Sequence, residues 1–81
     1  MLLMTATHTV TGQVESHRFP NSVRQSGTAF YTAQRFLVSK LCHTPASPME
    51  ALIYQPIADT YLLIRWPGQD HGPFKITYRK E

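Results

Sequence analysis

The sequence predicts an α+β domain, with one amphipathic helix laid over a small, mainly antiparallel sheet. Three observations predict it. From Ala51 to Lys80, short runs rich in β-branched and aromatic residues alternate with breaks containing Gly, Pro or Asp, the pattern of a strand meander. Between Thr28 and Leu41, the residues Phe30, Ala33, Leu37 and Leu41 recur at helical spacing. The 81 residues are 42% hydrophobic and 16% charged, a composition that can build one globular core but leaves little stability to spare at this length. The expectation is a single domain over 1–81, with residues 1–6 as a poorly ordered end and elements in the order β-α-β-β-β.

The stretch from His8 to Arg18 is polar and Thr-rich and alternates roughly, which predicts a strand with a thin apolar side, hence an edge strand. Gly12 within it marks a bulge or a close backbone approach. Phe19-Pro20-Asn21-Ser22 ends that strand, and a connection carrying Arg24 leads to Ser26-Gly27. The helix is expected over about residues 28–42. Ser26 or Thr28 caps its start, and Lys40 and His43 sit at the end where positive charge suits the dipole. Ser47-Pro48-Met49-Glu50 reads as a capping box, but Pro56 follows too soon for more than one turn, so a strand is expected from about Leu52. Thr60 to Trp66 is apolar on both faces and reads as the central strand, with Leu62, Ile64 and Trp66 turned to the helix. After a loop ending at Gly72-Pro73, Phe74 to Lys80 alternates cleanly, with Phe74, Ile76 and Tyr78 inward.

The formal net charge is +3, and the excess lies in residues 1–40, because the charges of residues 41–81 balance. That permits a nucleic acid or an acidic protein as partner and demands neither. One cysteine, Cys42, excludes an internal disulfide framework and points to a reducing, cytoplasmic setting. No apolar run approaches the ~18 residues of a membrane span. The opening Met1-Leu2-Leu3-Met4 is too short for a signal-peptide core, and Met4 is an alternative initiator.

No group of residues announces a reaction. His8, His17, Cys42, His43 and His71 lack the close pairs that zinc sites use, so no metal or cofactor is expected. Cys42 at the end of an apolar stripe reads as a packing residue rather than a nucleophile. Asp70-His71 reads as a solvated turn in preference to an acid/base pair, and no Gly-rich phosphate loop exists.

The remaining signal is the sheet face away from the helix. There Tyr61, Leu63, Arg65, Lys75, Thr77 and Arg79 are expected together, an aromatic and cationic surface. Tyr61, Arg65, Lys75 and Arg79 are the candidate binding residues, with Arg24 at the rim. By association of small size with missing chemistry, the expected role is a non-enzymatic protein that occupies a surface of a larger macromolecule. Bacterial or phage accessory proteins that inhibit a host nucleic-acid enzyme are of this kind, and the partner would be a protein or a nucleoprotein complex. The competing expectation is an RNA-binding module or a small metal-independent ribonuclease of the toxin type, with Tyr78, Lys75 and Arg79 as suspects. A homodimer that buries the same face is a third.

Overall fold

The computed structural model describes residues 1–24, 27–42, 49–66 and 68–81. Five strands and one helix follow in the order β1 (Leu2–His8), β2 (Val14–Phe19), α1 (Gly27–Leu41), β3 (Glu50–Gln55), β4 (Thr60–Arg65) and β5 (Gln69–Lys80). They form one sheet of order β2-β1-β5-β4-β3 in which every neighbouring pair is antiparallel. The helix covers one face. The α+β class with a single helix on an antiparallel sheet is as expected.

The amino-terminal third departs from expectation. The polar run taken as one strand is a hairpin, and residues 2–6, expected as a loose end, belong to β1 beside the middle strand β5. Leu2, Met4 and Ala6 alternate into the core, with Met4 and Ala6 fully buried. The intervening turn is held by His8, whose Nδ1 accepts the N–H groups of Val10 and Thr11 at 3.2 Å each. Gly12 closes the turn at φ 77°, a conformation that costs glycine nothing. It therefore marks a hairpin turn, where the sequence suggested a bulge within a strand.

Helix α1 buries Ala33, Gln34, Leu37, Val38 and Leu41, while Phe36 stays 45% exposed. The buried stripe lies one position round from the one read by spacing, because Gln34 enters the interface, where its Nε2 donates to the Tyr61 hydroxyl at 3.3 Å. Facing residues on the sheet are Leu2, Met4, Ala6, Phe19, Leu52, Leu63 and Phe74, which complete one continuous core. The expected cap at Ser26, the loop from His43 with its capping-box start at Ser47-Pro48, and the break at Pro67 lie outside the described residues.

The facing of β4 corrects the expectation. Tyr61 pairs with Phe74 and Leu63 with His71 across β5, and Leu63 pairs with Leu52 across β3. Leu63 and Phe74 are both fully buried, so Tyr61, Leu63 and Arg65 point to the helix while Leu62, Ile64 and Trp66 turn away from it. Trp66 is 69% exposed. What makes an inward arginine tolerable is Glu50, directly opposite on β3, whose Oε2 accepts from Arg65 Nε at 2.8 Å. β5 also begins earlier than expected, at Gln69, and carries an extra residue at Gly72-Pro73 between its two pairings with β4. A Cβ at Gly72 would lie 3.0 Å from the Tyr61 carbonyl oxygen and 3.1 Å from the Phe74 ring, so the strands approach each other here only because that residue is glycine.

Candidate docking surface

Cross-strand partners share a face, so the registers fix which side chains line the side of the sheet away from α1. On β2, β1 and β5 these are Val14, Ser16 and Arg18, then Leu3, Thr5 and Thr7, then Lys75, Thr77 and Arg79. On β4 and β3 they are Leu62 and Ile64, then Ala51 and Ile53, and the exposed Asp70 at the start of β5 stands opposite Ile64 at the border of this half. The face therefore has two halves of different chemistry.

The first half is polar, with three cations, Arg18, Lys75 and Arg79, set against two carboxylates, Glu81 and Asp59. Arg18 Nε lies 2.7 Å from Glu81 Oε1, and Arg79 Nη2 lies 3.6 Å from Glu81 Oε2. The Arg18 guanidinium, by its hydrogen bond, holds the Glu81 carboxyl below the usual carboxylate range. Lys75 Nζ donates to Asp59 Oδ2 at 2.8 Å and to the Asp59 carbonyl at 3.2 Å, which ties the β3–β4 turn to β5. Thr5 and Ser16 share a hydroxyl hydrogen bond of 2.9 Å between the Arg and Lys groups.

The second half is apolar. Met49 is 61% exposed, Ile53 45%, Ile64 37% and Trp66 69%, and the outward side of β3 and β4 carries no charged side chain. Met49, Glu50, Ala51, Ile64 and Trp66 line a shallow depression of about 430 Å³, with the Glu50 side chain turned inward and 2% exposed. At the hairpin tip Ile57 is completely exposed and Tyr54 is half-exposed. Four large side chains exposed to this degree make a patch on the order of 400 Å², comparable to the largest patch on an ordinary monomer and often functional there.

The five sequence-derived candidates are not brought together. Lys75 and Arg79 are on this face as expected. Arg65 lies on the opposite face and is 6% exposed, and its guanidinium also donates to Ser39 Oγ at 3.3 Å. Tyr61 is on that opposite face too, accepting from Gln34 and packed on Tyr54 with ring centroids 4.9 Å apart, so it offers no free ring for stacking. Arg24 is exposed in the β2–α1 connection and shares a depression with Leu2, Asn21, Val23 and Lys80, away from Lys75. The surface residues missed from the sequence are Met49, Ile53, Ile64 and Trp66. The signal that would have found them was the possible pairing of Glu50 with Arg65, which reverses the facing of β4.

His8, Cys42, Asp70 and His71 line one depression, but among the described residues no hydrogen bond joins the Cys42 thiol to an imidazole and the buried His71 Nε2 has no partner. Among the described residues, no cluster of three or more His, Cys, Asp and Glu side chains is placed to hold a metal ion. Asp70 pairs with Ile64 and His71 with Leu63, so the two neighbours point to opposite faces. Cys42 is half-buried, and burial pushes its thiol up from its ordinary value. Tyr78, one of the suspects for RNA chemistry, faces the helix and meets the Phe30 ring edge-on at 5.3 Å, across the sheet from Lys75 and Arg79. No helix among the described residues is long and apolar enough to cross a membrane.

No protein-family model matches the chain, and neither does any curated protein or solved structure.

The Asp59 tether gives this surface a pH dependence. The hydrogen bonds from Lys75 and Tyr54, with the Lys75 charge, hold the Asp59 carboxyl below its ordinary value. A depressed carboxyl favours the folded form above its unfolded pKa and loses that contribution as pH falls through the folded pKa. Acidification below the ordinary carboxylate range therefore frees the Lys75 ammonium and the Tyr54 hydroxyl. An NMR titration should show the Ile57–Thr60 amides shifting with the Asp59 carboxyl, and Asp59→Asn should abolish that step.

Proposed function

We propose that the protein is a non-enzymatic binding module that docks onto a larger protein through the open face of its sheet, with the β3–β4 hairpin at the centre of the contact. The observation that carries this reading is the charge-free outward side of that hairpin, where Met49, Ile53, Ile64 and Trp66 are all exposed. A sheet face uncovered by its own helix, with an exposed tryptophan just past the end of β4 and polar groups on the neighbouring strands, has the composition of a protein-contact patch. An accessory or inhibitor role fits a module that acts by covering a surface.

The same geometry weighs against RNA. Tyr61 is turned to the helix, so the stacking ring expected for single-stranded RNA is absent from this face, and Arg18 and Lys75 are each held to a carboxylate. Capture from lysate of the source cell with immobilised protein is the test. Wild type should retain a stoichiometric protein, and Ile64→Lys, which places a charge in the patch without entering the core, should lose it with the fold unchanged by circular dichroism. Retention of RNA that weakens steeply with salt, or a captured protein indifferent to Ile64→Lys, would contradict the proposal.

A further inference from the structure

The two edges of the sheet are not equivalent. On β3 the outward N–H of Leu52 is taken by the Tyr31 hydroxyl at 2.9 Å, and Arg35 from the same helix reaches Glu50 at 3.1 Å, so α1 guards that edge. On β2, among the described residues, no hydrogen bond reaches the outward backbone groups. Which groups point outward follows from the ladder. The His8 N–H donates to the Gln13 carbonyl at 2.8 Å, and the β1–β2 register continues from that pair without a shift. Bonded pairs alternate in an antiparallel ladder, so Glu15, His17 and Phe19 bond to β1, and the N–H and C=O of Val14, Ser16 and Arg18 face away from it. A greasy side chain flanks this free edge on each side of the sheet. Val14 is 57% exposed on the open face, and Phe36 is 45% exposed on the helix face, its ring packed on His17 and Phe19.

We propose that β2 pairs antiparallel with β2 of a second copy about a two-fold axis at Ser16, joining the two five-stranded sheets edge to edge. The register follows from the outward groups. With Ser16 on the axis, Ser16 meets its own symmetry mate and Val14 meets Arg18 of the second copy, so all three outward donors and acceptors on each copy find partners. The same register sets Glu15 opposite His17 of the second copy on the helix face, twice by symmetry, where the anion accepts from the imidazole. Moving the axis to His17 sets Val14 opposite Pro20, which has no N–H for the Val14 carbonyl, and sets Phe19 against Glu15. It is this self-complementarity that selects a second copy over an unrelated extended peptide. The contact uses a different surface from the open-face docking site and leaves that site free.

Sedimentation at micromolar concentration should give twice the chain mass. Ser16→Pro removes an outward N–H and no bond of the β1 ladder. It should halve the mass with the far-UV circular dichroism unchanged. Ser16→Cys in a Cys42→Ser background gives an independent reading, because a hydrogen-bonded antiparallel pair sets the two Cα atoms about 5.5 Å apart, within disulfide reach. Mild oxidation should yield a covalent dimer, whereas Gln69→Cys in the same background, exposed but on β5, should stay monomeric. A wild-type chain that sediments as a monomer, a Ser16→Cys variant that cross-links no faster than Gln69→Cys, or a dimer lost on Ile64→Lys but kept in Ser16→Pro would each overturn the proposal. If Ser16→Pro does not fold, the cross-linking comparison decides.

Discussion

Glu50→Ala destabilises the protein by about 3–5 kcal/mol, the cost of leaving a buried arginine without its carboxylate. The Glu50 side chain is 2% exposed and that of Arg65 8%, and the carboxylate also receives Arg35 Nη2 at 3.1 Å. After truncation Arg65 keeps the weak Ser39 contact at 3.3 Å but loses the charge that offsets its desolvation. A domain of this length has a total stability of about 4–12 kcal/mol, so the variant is largely unfolded or lowers the thermal midpoint by tens of degrees, roughly 4–8 °C for each kcal/mol. The double replacement Glu50→Leu with Arg65→Met should recover most of the loss, because an apolar pair of similar volume needs no desolvation of charge. Arg35→Ala costs less than Glu50→Ala, since Arg35 is 31% exposed and its buried Nε has no hydrogen-bond partner to lose. Urea denaturation of the four proteins checks the ordering. A Glu50→Ala variant as stable as wild type contradicts the buried pair.

Leu63→Ala costs about 2–5 kcal/mol, and Leu62→Ala, one residue away, costs less than about 1 kcal/mol. Leu63 is fully buried among Leu52, Phe74 and the helix, so its truncation removes apolar burial and leaves a cavity that the strands cannot close. Leu62 lies on the uncovered face, where water already reaches its neighbours Ile53 and Ile64. The contrast is large because a one-residue change of facing exchanges every side chain of a strand between core and solvent. Urea midpoints at unchanged m-value measure it directly. The opposite ordering would place Leu62, Ile64 and Trp66 under the helix.

That strand shows where the fold was legible in the sequence and where it was not. The helix stood out because its apolar spacing admits no strand reading, and β5 because Phe74, Ile76 and Tyr78 alternate strictly with Lys75, Thr77 and Arg79. The facing of β4 was illegible because both of its sides are apolar, and tryptophan and arginine then decided it by their usual preferences. Here those preferences lose to a single cross-strand partner, and the partner's register was set by a hairpin turn whose pairing the local sequence does not specify. β1 was hidden for a different reason. Its inward residues include Ala6 and its outward ones are mostly Thr, so little periodic contrast survives, although Met4 and Ala6 are fully buried. The candidate site inherited these errors. Lys75 and Arg79 were placed correctly, Tyr61 and Arg65 were assigned to the wrong face, and the apolar half of the surface was assigned to the core.

Trp66 is the single tryptophan of the chain and sits in the proposed contact, so its fluorescence reports on that contact alone. The free protein should emit as a water-exposed indole and be quenched readily by acrylamide, and binding of the captured partner should shift the emission to the blue and protect it. Blue-shifted, quencher-resistant emission from the free protein would put Trp66 in the core and contradict the account.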